Sequence, residues 1–184
     1  MTRLIFIILL ITSLNVYAEP KLRPDTWGHS IVGTSLENFY KIDDAVYRSA
    51  QPGSEHMEDF QSLGITDILN LRYYHSDADD MKESDFTLHR VKMSAGNVTE
   101  THIIDALTII KNRKGPILVH CWHGSDRTGT VIAAYRIIFN HWTKSQALDE
   151  MTNGGYGYHA WAYPNLVDLI NNLDVNKIRQ ALFD

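Results

Sequence analysis

The chain has 184 residues, 44% hydrophobic and 21% charged, ordinary proportions for one soluble globular domain with its own core. A formal net charge of −5 argues against nucleic acid and against anionic membrane surfaces as partners. A single cysteine excludes any intramolecular disulfide.

Met1-Thr2-Arg3 is a short basic start, Leu4 to Leu14 is mostly apolar, and Val16-Tyr17-Ala18 has the small-x-small form of a cleavage site. The pattern predicts a secretory signal peptide over residues 1–18, and hence a periplasmic or secreted protein. The apolar run falls well short of the ~20 residues that a membrane span needs, and no later stretch could span a bilayer. Removing the peptide takes away one charged residue, Arg3, and leaves the remainder one unit more negative. In an oxidising compartment the lone Cys121 has no resolving partner, so reversing its oxidation needs an outside reductant. Residues 19–35, with two prolines, two glycines and no periodicity, read as a lead-in, and residues 36–184 as one domain.

Within that domain short strands and helices alternate. Asn38–Ile42 and Ala45–Arg48 read as strands around the acidic turn Asp43-Asp44. Ser54 is the expected N-cap of a helix through Leu63, stopped by Gly64. Ile65–Leu71 reads as a strand. His75–Asp85, polar and acidic, reads as a solvated loop with a helical turn; a place beside a substrate mouth is the alternative. Phe86–Lys92 reads as a strand, and Thr99 caps a helix to about Lys111 with Ile103, Ile104, Leu107 and Ile110 on one face. Gly115-Pro116 is a turn before the buried strand Ile117-Leu118-Val119, and Thr130–Phe139, apolar on almost every side, reads as a buried helix. Thr143 and Gln146 form a capping box for a helix to Met151. After the glycine- and aromatic-rich Gly154–Ala162, Pro164–Leu173 and Asp174–Leu182 read as closing helices. This order predicts a single α/β domain, a central mostly parallel sheet flanked by helices, with its site at the carboxyl end of the central strand.

Between the central strand and the central helix stands His120-Cys121-Trp122-His123-Gly124-Ser125-Asp126-Arg127-Thr128-Gly129. A loop of this length can turn its backbone N–H groups inward around one tetrahedral anion, joined by the orphan donors of the helix start. Trp122, His123, Gly124 and Ser125 would then surround the anion. Arg127 can close the ring with a bidentate grip on two phosphate oxygens. The positive field at such a place favours the thiolate of Cys121, its nucleophilic form. The Thr128 hydroxyl follows, placed to donate a hydrogen bond to that thiolate. The implied reaction is in-line attack on a phosphoester, giving a phosphocysteine that water later hydrolyses.

His-Cys-five residues-Arg-Thr-Gly resembles the signature of the cysteine-dependent protein tyrosine and dual-specificity phosphatases. Val46-Tyr47-Arg48-Ser49-Ala50-Gln51-Pro52 resembles the leading segment of the small bacterial dual-specificity enzymes. Ile68-Leu69-Asn70-Leu71-Arg72 is similar to their second strand and following turn, and Gly154-Gly155-Tyr156-Gly157 to a segment well after the signature. Together these cover most of residues 36–170. The resemblance implies a dual-specificity-phosphatase-like fold and a phosphomonoesterase without cofactor, which the pattern of residues 1–18 makes an exported one. Its partner would be a phosphorylated protein or peptide, phosphotyrosine first, with phosphoserine and phosphothreonine besides. No metal is expected either, since His75, His89, His102, His141 and His159 show no ligand spacing.

Members of that family place an aspartate on a loop before the signature, just after a strand. The matching segment, Met93-Ser94-Ala95-Gly96-Asn97, holds no acid. Asp126, directly before Arg127, is the expected proton donor; myotubularin-type and Sac-type lipid phosphatases carry an aspartate at the same place. Glu100 is the second candidate, although an acid in a first helical turn needs only the helix dipole to justify it. His120 is expected to orient the loop by hydrogen bonding, and His123 to touch substrate or face solvent. Trp122 is expected either to wall the pocket or to pack beneath it. Arg48 and Arg72 are expected to pair with nearby acids rather than reach phosphate. One alternative is a phosphoinositide or inositol phosphate phosphatase with a phosphorylated lipid headgroup as partner. Asp126 supports it, and the absence of Lys or Arg between Cys121 and Arg127 weakens it. Another is a low-turnover phosphate-binding module, motivated by the missing loop aspartate. Arsenate reductases and rhodanese-like sulfur transferases also use a Cys–Arg loop, but Val46–Pro52 argues against both.

Overall fold

The computed structural model describes residues 23–82 and 84–184; the expected signal peptide lies outside them. The sheet is built from β1 (His29–Ser30), β2 (Tyr40–Lys41), β3 (Val46–Ser49), β4 (Asp67–Arg72), β5 (Thr87–Met93) and β6 (Ile117–His120). Their spatial order is β1-β2-β3-β6-β4-β5. The pairs β3–β6, β6–β4 and β4–β5 are parallel, whereas β1–β2 and β2–β3 are antiparallel. The sheet is therefore mostly parallel, with β6 central, as expected. Of the lead-in, residues 29–30 form β1 and Trp27 is buried, so the folded unit starts before residue 36.

Both faces of the sheet are covered, and the period of two along each strand decides which side chain goes where. Val46, Leu69, Leu71, Ile117 and Val119 face the larger core. That core includes residues of α2 (Glu100–Asn112), α3 (Asp126–Ile138), α4 (Lys144–Asn153), α5 (Asn165–Asn172) and α6 (Val175–Phe183). Tyr47, Ile68 and Leu118 face a smaller core with Phe60 of α1 (Met57–Ser62) and Met81. Helix α3 is buried on every side over Thr128–Ile138, and starts four residues before the apolar run at Thr130.

Local signals explain most boundaries. Thr99 and Thr143 cap α2 and α4, each accepting from the N–H three residues on. Gly64, at φ +68, lets the chain turn out of α1. Three readings need correction. Ser54 is not a cap: it opens a short 3-10 turn over Ser54–His56, and the His56 ring accepts at Nδ1 from the Gly53 N–H at 3.0 Å. On α2 the small Ala106 fills the core, and Ile104 is only half-buried. The polar run His75–Asp85 is not merely solvated surface, because Asp77 and Met81 are buried.

Candidate active site

Residues 121–125 form a loop between the end of β6 and the start of α3, and its backbone is turned by its neighbours. The Trp122 carbonyl accepts from the Gln51 N–H at 2.9 Å. The His123 carbonyl accepts from Asn38 Nδ2 at 2.7 Å, and the Gly124 carbonyl accepts from Arg48 Nη2. The Cys121 carbonyl lies 3.2 Å from His120 Nδ1. Across a trans peptide the C=O and the following N–H point in opposite directions. Four successive carbonyls held outward therefore aim the N–H groups of residues 122–125 at the loop's centre. Among the described residues none of those four N–H groups has a protein acceptor. Gly124 is required for this path: its φ is +72, and a Cβ there would lie 2.5 Å from the Ser49 carbonyl oxygen.

Cys121 is buried, 2% exposed, at the foot of the loop. Next to it His120 is fully buried and donates from Nε2 to Asp77 Oδ2 at 2.8 Å. Asp77 Oδ1 also accepts from Gln51 Nε2 and Asn70 Nδ2, both at 2.9 Å. Burial pushes the Asp77 carboxyl up, but the hydrogen bond and charge of His120, with help from Gln51 and His75, outweigh it. The carboxyl is held below the usual carboxylate range. His120 thus orients the loop as expected, through Asp77, a member of the polar run that reads in sequence as solvated surface. The Thr128 hydroxyl departs from expectation: it is buried and makes no hydrogen bond, to the thiol or to any other described group.

Arg127 is half-buried at the wall of a cleft of about 410 Å³, lined also by Arg72, Tyr73, Tyr74, Ser94, Ala95, Trp122 and Tyr163. Its Nη1 approaches the Met93 carbonyl at 3.4 Å, and its buried Nε has no partner among the described residues. Arg72 does not pair with an acid. It donates from Nη1 to Gln51 Oε1 at 2.9 Å, and its guanidinium stacks 4.2 Å from the Trp122 ring centroid. Burial and the positive charge of Arg127 lower its pKa from the usual guanidinium value. Trp122 is half exposed and forms a wall of the cleft rather than a floor. Arg48 is not acid-paired through hydrogen bonds either; it lies fully buried beneath the loop. Ser125 is buried and precedes α3, where its side chain makes no capping bond.

A second recess of about 250 Å³ shares Ala95, Trp122, Arg127 and Tyr163 with the cleft and adds His123, Asp126, His159 and Trp161. Asp126 is therefore in the mouth, and Glu100 lines neither space. Glu100 is engaged elsewhere, with Lys177 Nζ at 2.7 Å and the Asp174 N–H at 3.1 Å. The hydrogen bond from Lys177 holds its carboxyl below the usual range. Asp126 accepts at Oδ1 from the His159 backbone N–H at 3.0 Å, and at Oδ2 from His159 Nδ1 at 2.9 Å. Sequence reasoning missed His159, Asp77 and the anchoring residues Asn38 and Gln51. Only the position of Gln51, inside the motif Val46–Pro52, was a signal for any of them.

Residues 34–159 match the tyrosine phosphatase family. The chain is 30% identical over 122 residues to the dual specificity protein phosphatase TpbA of Pseudomonas aeruginosa, covering 65% of this chain and 56% of that one. It thus spans little more than half the length of that relative. It is 27% identical to the inositol diphosphatase DSP3 of Arabidopsis thaliana, over 79% of this chain and 74% of the other. A crystal structure of P. aeruginosa TpbA in complex with pTyr superposes with a TM-score of 0.78 at 26% identity, covering 88% of this chain and 98% of that one.

Proposed function

The chain belongs to the tyrosine phosphatase family, and from that premise we propose that it is a phosphomonoesterase hydrolysing phosphotyrosine through a phosphocysteine on Cys121. Phosphoserine and phosphothreonine are further substrates in this reading. The observation that carries it is the outward anchoring of the four carbonyls of residues 121–124, which leaves a ring of N–H donors above the thiol. Those donors and the Arg127 fork hold the three non-bridging oxygens, and they do so more tightly as negative charge builds up in the transition state. The thiolate attacks phosphorus opposite the leaving oxygen, and water later releases phosphate from sulfur.

The rim supports an aryl ester. Tyr73, Tyr74 and Trp122 are exposed around the cleft and Tyr163 is half-buried in it, so a phosphotyrosine ring has aromatic faces to pack on. TpbA, crystallised with pTyr, points the same way. The second reading, an inositol phosphate or phosphoinositide phosphatase, is favoured by Arg72 beside Arg127 and by the relative DSP3. The basic start and apolar run of residues 1–18 support an exported protein.

A turnover screen of purified protein over phosphopeptides, phosphoinositides and inositol phosphates, in excess chelator, separates the readings. Phosphotyrosine peptides should give the highest kcat/KM. Cys121→Ser should abolish turnover while phosphate still binds, since the N–H ring and Arg127 remain. Substantial activity in Cys121→Ser would exclude the phosphocysteine.

A further inference from the structure

We propose that His159, held by Asp126, is the acid that protonates the leaving oxygen; the inference rests on the phosphatase reading above and names the proton donor of that site. The loop 93–97 offers no carboxyl group, and Glu100 is bound to Lys177 outside the cleft. Asp126 does stand at the mouth, but both of its oxygens accept from His159, at 3.0 Å from the backbone N–H and 2.9 Å from Nδ1. Both carboxylate oxygens are thus already taken up as hydrogen-bond acceptors by one residue.

The proton lies one atom further on. Because a carboxylate only accepts, the Nδ1 contact places a hydrogen on Nδ1, and the second ring proton of an imidazolium then sits on Nε2. Among the described residues Nε2 makes no hydrogen bond. The His159 side chain is 37% exposed against 9% for that of Asp126, so of the two groups that line the recess the ring is the more open to it. The ring lines that recess together with Arg127, Trp122 and His123. Its backbone is fixed by the turn that follows, where the His159 carbonyl accepts from the Ala162 and Tyr163 N–H groups, both at 3.0 Å. With phosphate seated in the N–H ring, the leaving oxygen points away from Cys121 and out toward this mouth. Imidazole exchanges protons readily near neutral pH, where a carboxyl group is already ionised.

The Cys121 sulfur forms a bond to phosphorus while the P–O bond to the leaving group breaks. The electron pair of that bond stays on the leaving oxygen, which takes the proton from Nε2. In the second step water attacks phosphorus and gives a proton back to Nε2, and the S–P bond breaks to restore the thiolate. Asp126 is the positioning residue: it fixes the ring and balances the imidazolium charge.

The test is kcat/KM on two esters, phenyl phosphate with a basic leaving group and p-nitrophenyl phosphate with an acidic one. This ratio reports the steps up to departure of the alcohol and leaves out hydrolysis of the phosphocysteine. His159→Asn keeps a donor in the place of Nδ1, and so keeps the Asp126 bond, but has no proton to give. It should lose about 10²–10⁴-fold on phenyl phosphate and far less on p-nitrophenyl phosphate. His159→Gln should show the same contrast, and Asp126→Asn a smaller loss with the same leaving-group dependence. Equal losses on both esters in His159→Asn and His159→Gln would overturn the inference, since both variants would then only disturb the loop. It would also be overturned if His159→Asn were tolerated while Asp126→Asn carried the selective loss, which would make Asp126 the donor. In either case a parent protein that turns over both esters leaves the phosphatase reading standing. A parent that turns over neither ester overturns both.

Discussion

Replacing Asp77 by alanine should destabilise the fold more than any change at the rim of the cleft. Asp77 is 4% exposed and accepts from His120, Gln51 and Asn70. Gln51 and Asn70 have second acceptors, the Pro52 and His75 carbonyls, at 3.1 and 3.2 Å. His120 Nε2 has none, and His120 is fully buried. The loss is therefore that of removing the carboxylate partner of a buried histidine, about 3–5 kcal/mol. For a chain of this size each kcal/mol moves the midpoint of thermal unfolding by about 2–4 °C, so a fall of about 6–20 °C is expected at pH 7. The contribution has a defined pH window. The folded carboxyl lies below its ordinary value, so its stabilisation is complete above about pH 4 and is lost as pH falls through the lowered folded value. The variant should lose stability less steeply in acid than the parent, though not evenly, because Asp67 has a lowered pKa as well. Thermal unfolding followed by circular dichroism at pH 7 and across the acid range measures both. A midpoint within about 3 °C of the parent at pH 7 would refute the reasoning, since it would fall below half of the least expected loss.

Arg127→Lys should lower kcat/KM by at least about 10²-fold, because a point charge cannot replace the two-pronged grip on phosphate; steady-state kinetics on p-nitrophenyl phosphate decides it. Glu100→Gln should leave the leaving-group dependence of kcat/KM unchanged and shift stability by less than about 1 kcal/mol, the scale of a surface ion pair, since its partner Lys177 is exposed. Gly124→Ala should cost about 1–3 kcal/mol from its positive φ alone and more from the approach to Ser49; its unfolding midpoint and its phosphate affinity should fall together. The exported protein should begin near Glu19, which N-terminal sequencing of material recovered outside the cytoplasm checks.

The parts legible in the sequence are those with local causes. Strand β6 shows as an apolar run after Gly115-Pro116, and α2 and α4 begin at Thr99 and Thr143 because a cap and its target lie three residues apart. The Cys121–Arg127 spacing is equally local. The supporting residues are not local. Asp77 meets His120 across 43 positions, Arg48 meets Gly124 across 76, and His159 meets Asp126 across 33. Nothing in the polar composition of 75–85 distinguishes Asp77, which is buried, from Asp79, which is exposed. The sequence leads one to expect carboxylate partners for Arg48 and Arg72, because arginine usually finds them. Instead the sheet order brings β3 and β4 to either side of β6, so that both arginines reach the loop at its end.

Arg48 shows why this placement matters to the chemistry. Its guanidinium is fully buried, 3.7 Å from the Tyr156 ring centroid, with Nη2 on the Gly124 carbonyl and with Nε and Nη1 unpartnered among the described residues. Burial lowers its pKa from the usual guanidinium value, while the nearby Tyr156, Glu150 and Cys121 raise it. A buried cation with open donors costs several kcal/mol, and most of the polar groups around it are already committed. Tyr156 donates its hydroxyl to Glu150 at 3.1 Å and accepts from Arg23 at 2.8 Å. Glu150 is bound in turn by Arg136 at 2.8 and 3.0 Å and by the Gly28 N–H at 2.7 Å. In the proposed reaction a phosphate seated in the loop would add to the negative charge that Glu150 already sets near Arg48. A fold that carries this cost in the free protein is more attractive to an anion once one forms in the loop, and the attraction needs no rearrangement at the moment of reaction. The segment from Arg23 to Gly28, unpatterned in sequence, is thereby part of the foundation of the site, since it secures the Tyr156 and Glu150 on which the buried cation rests.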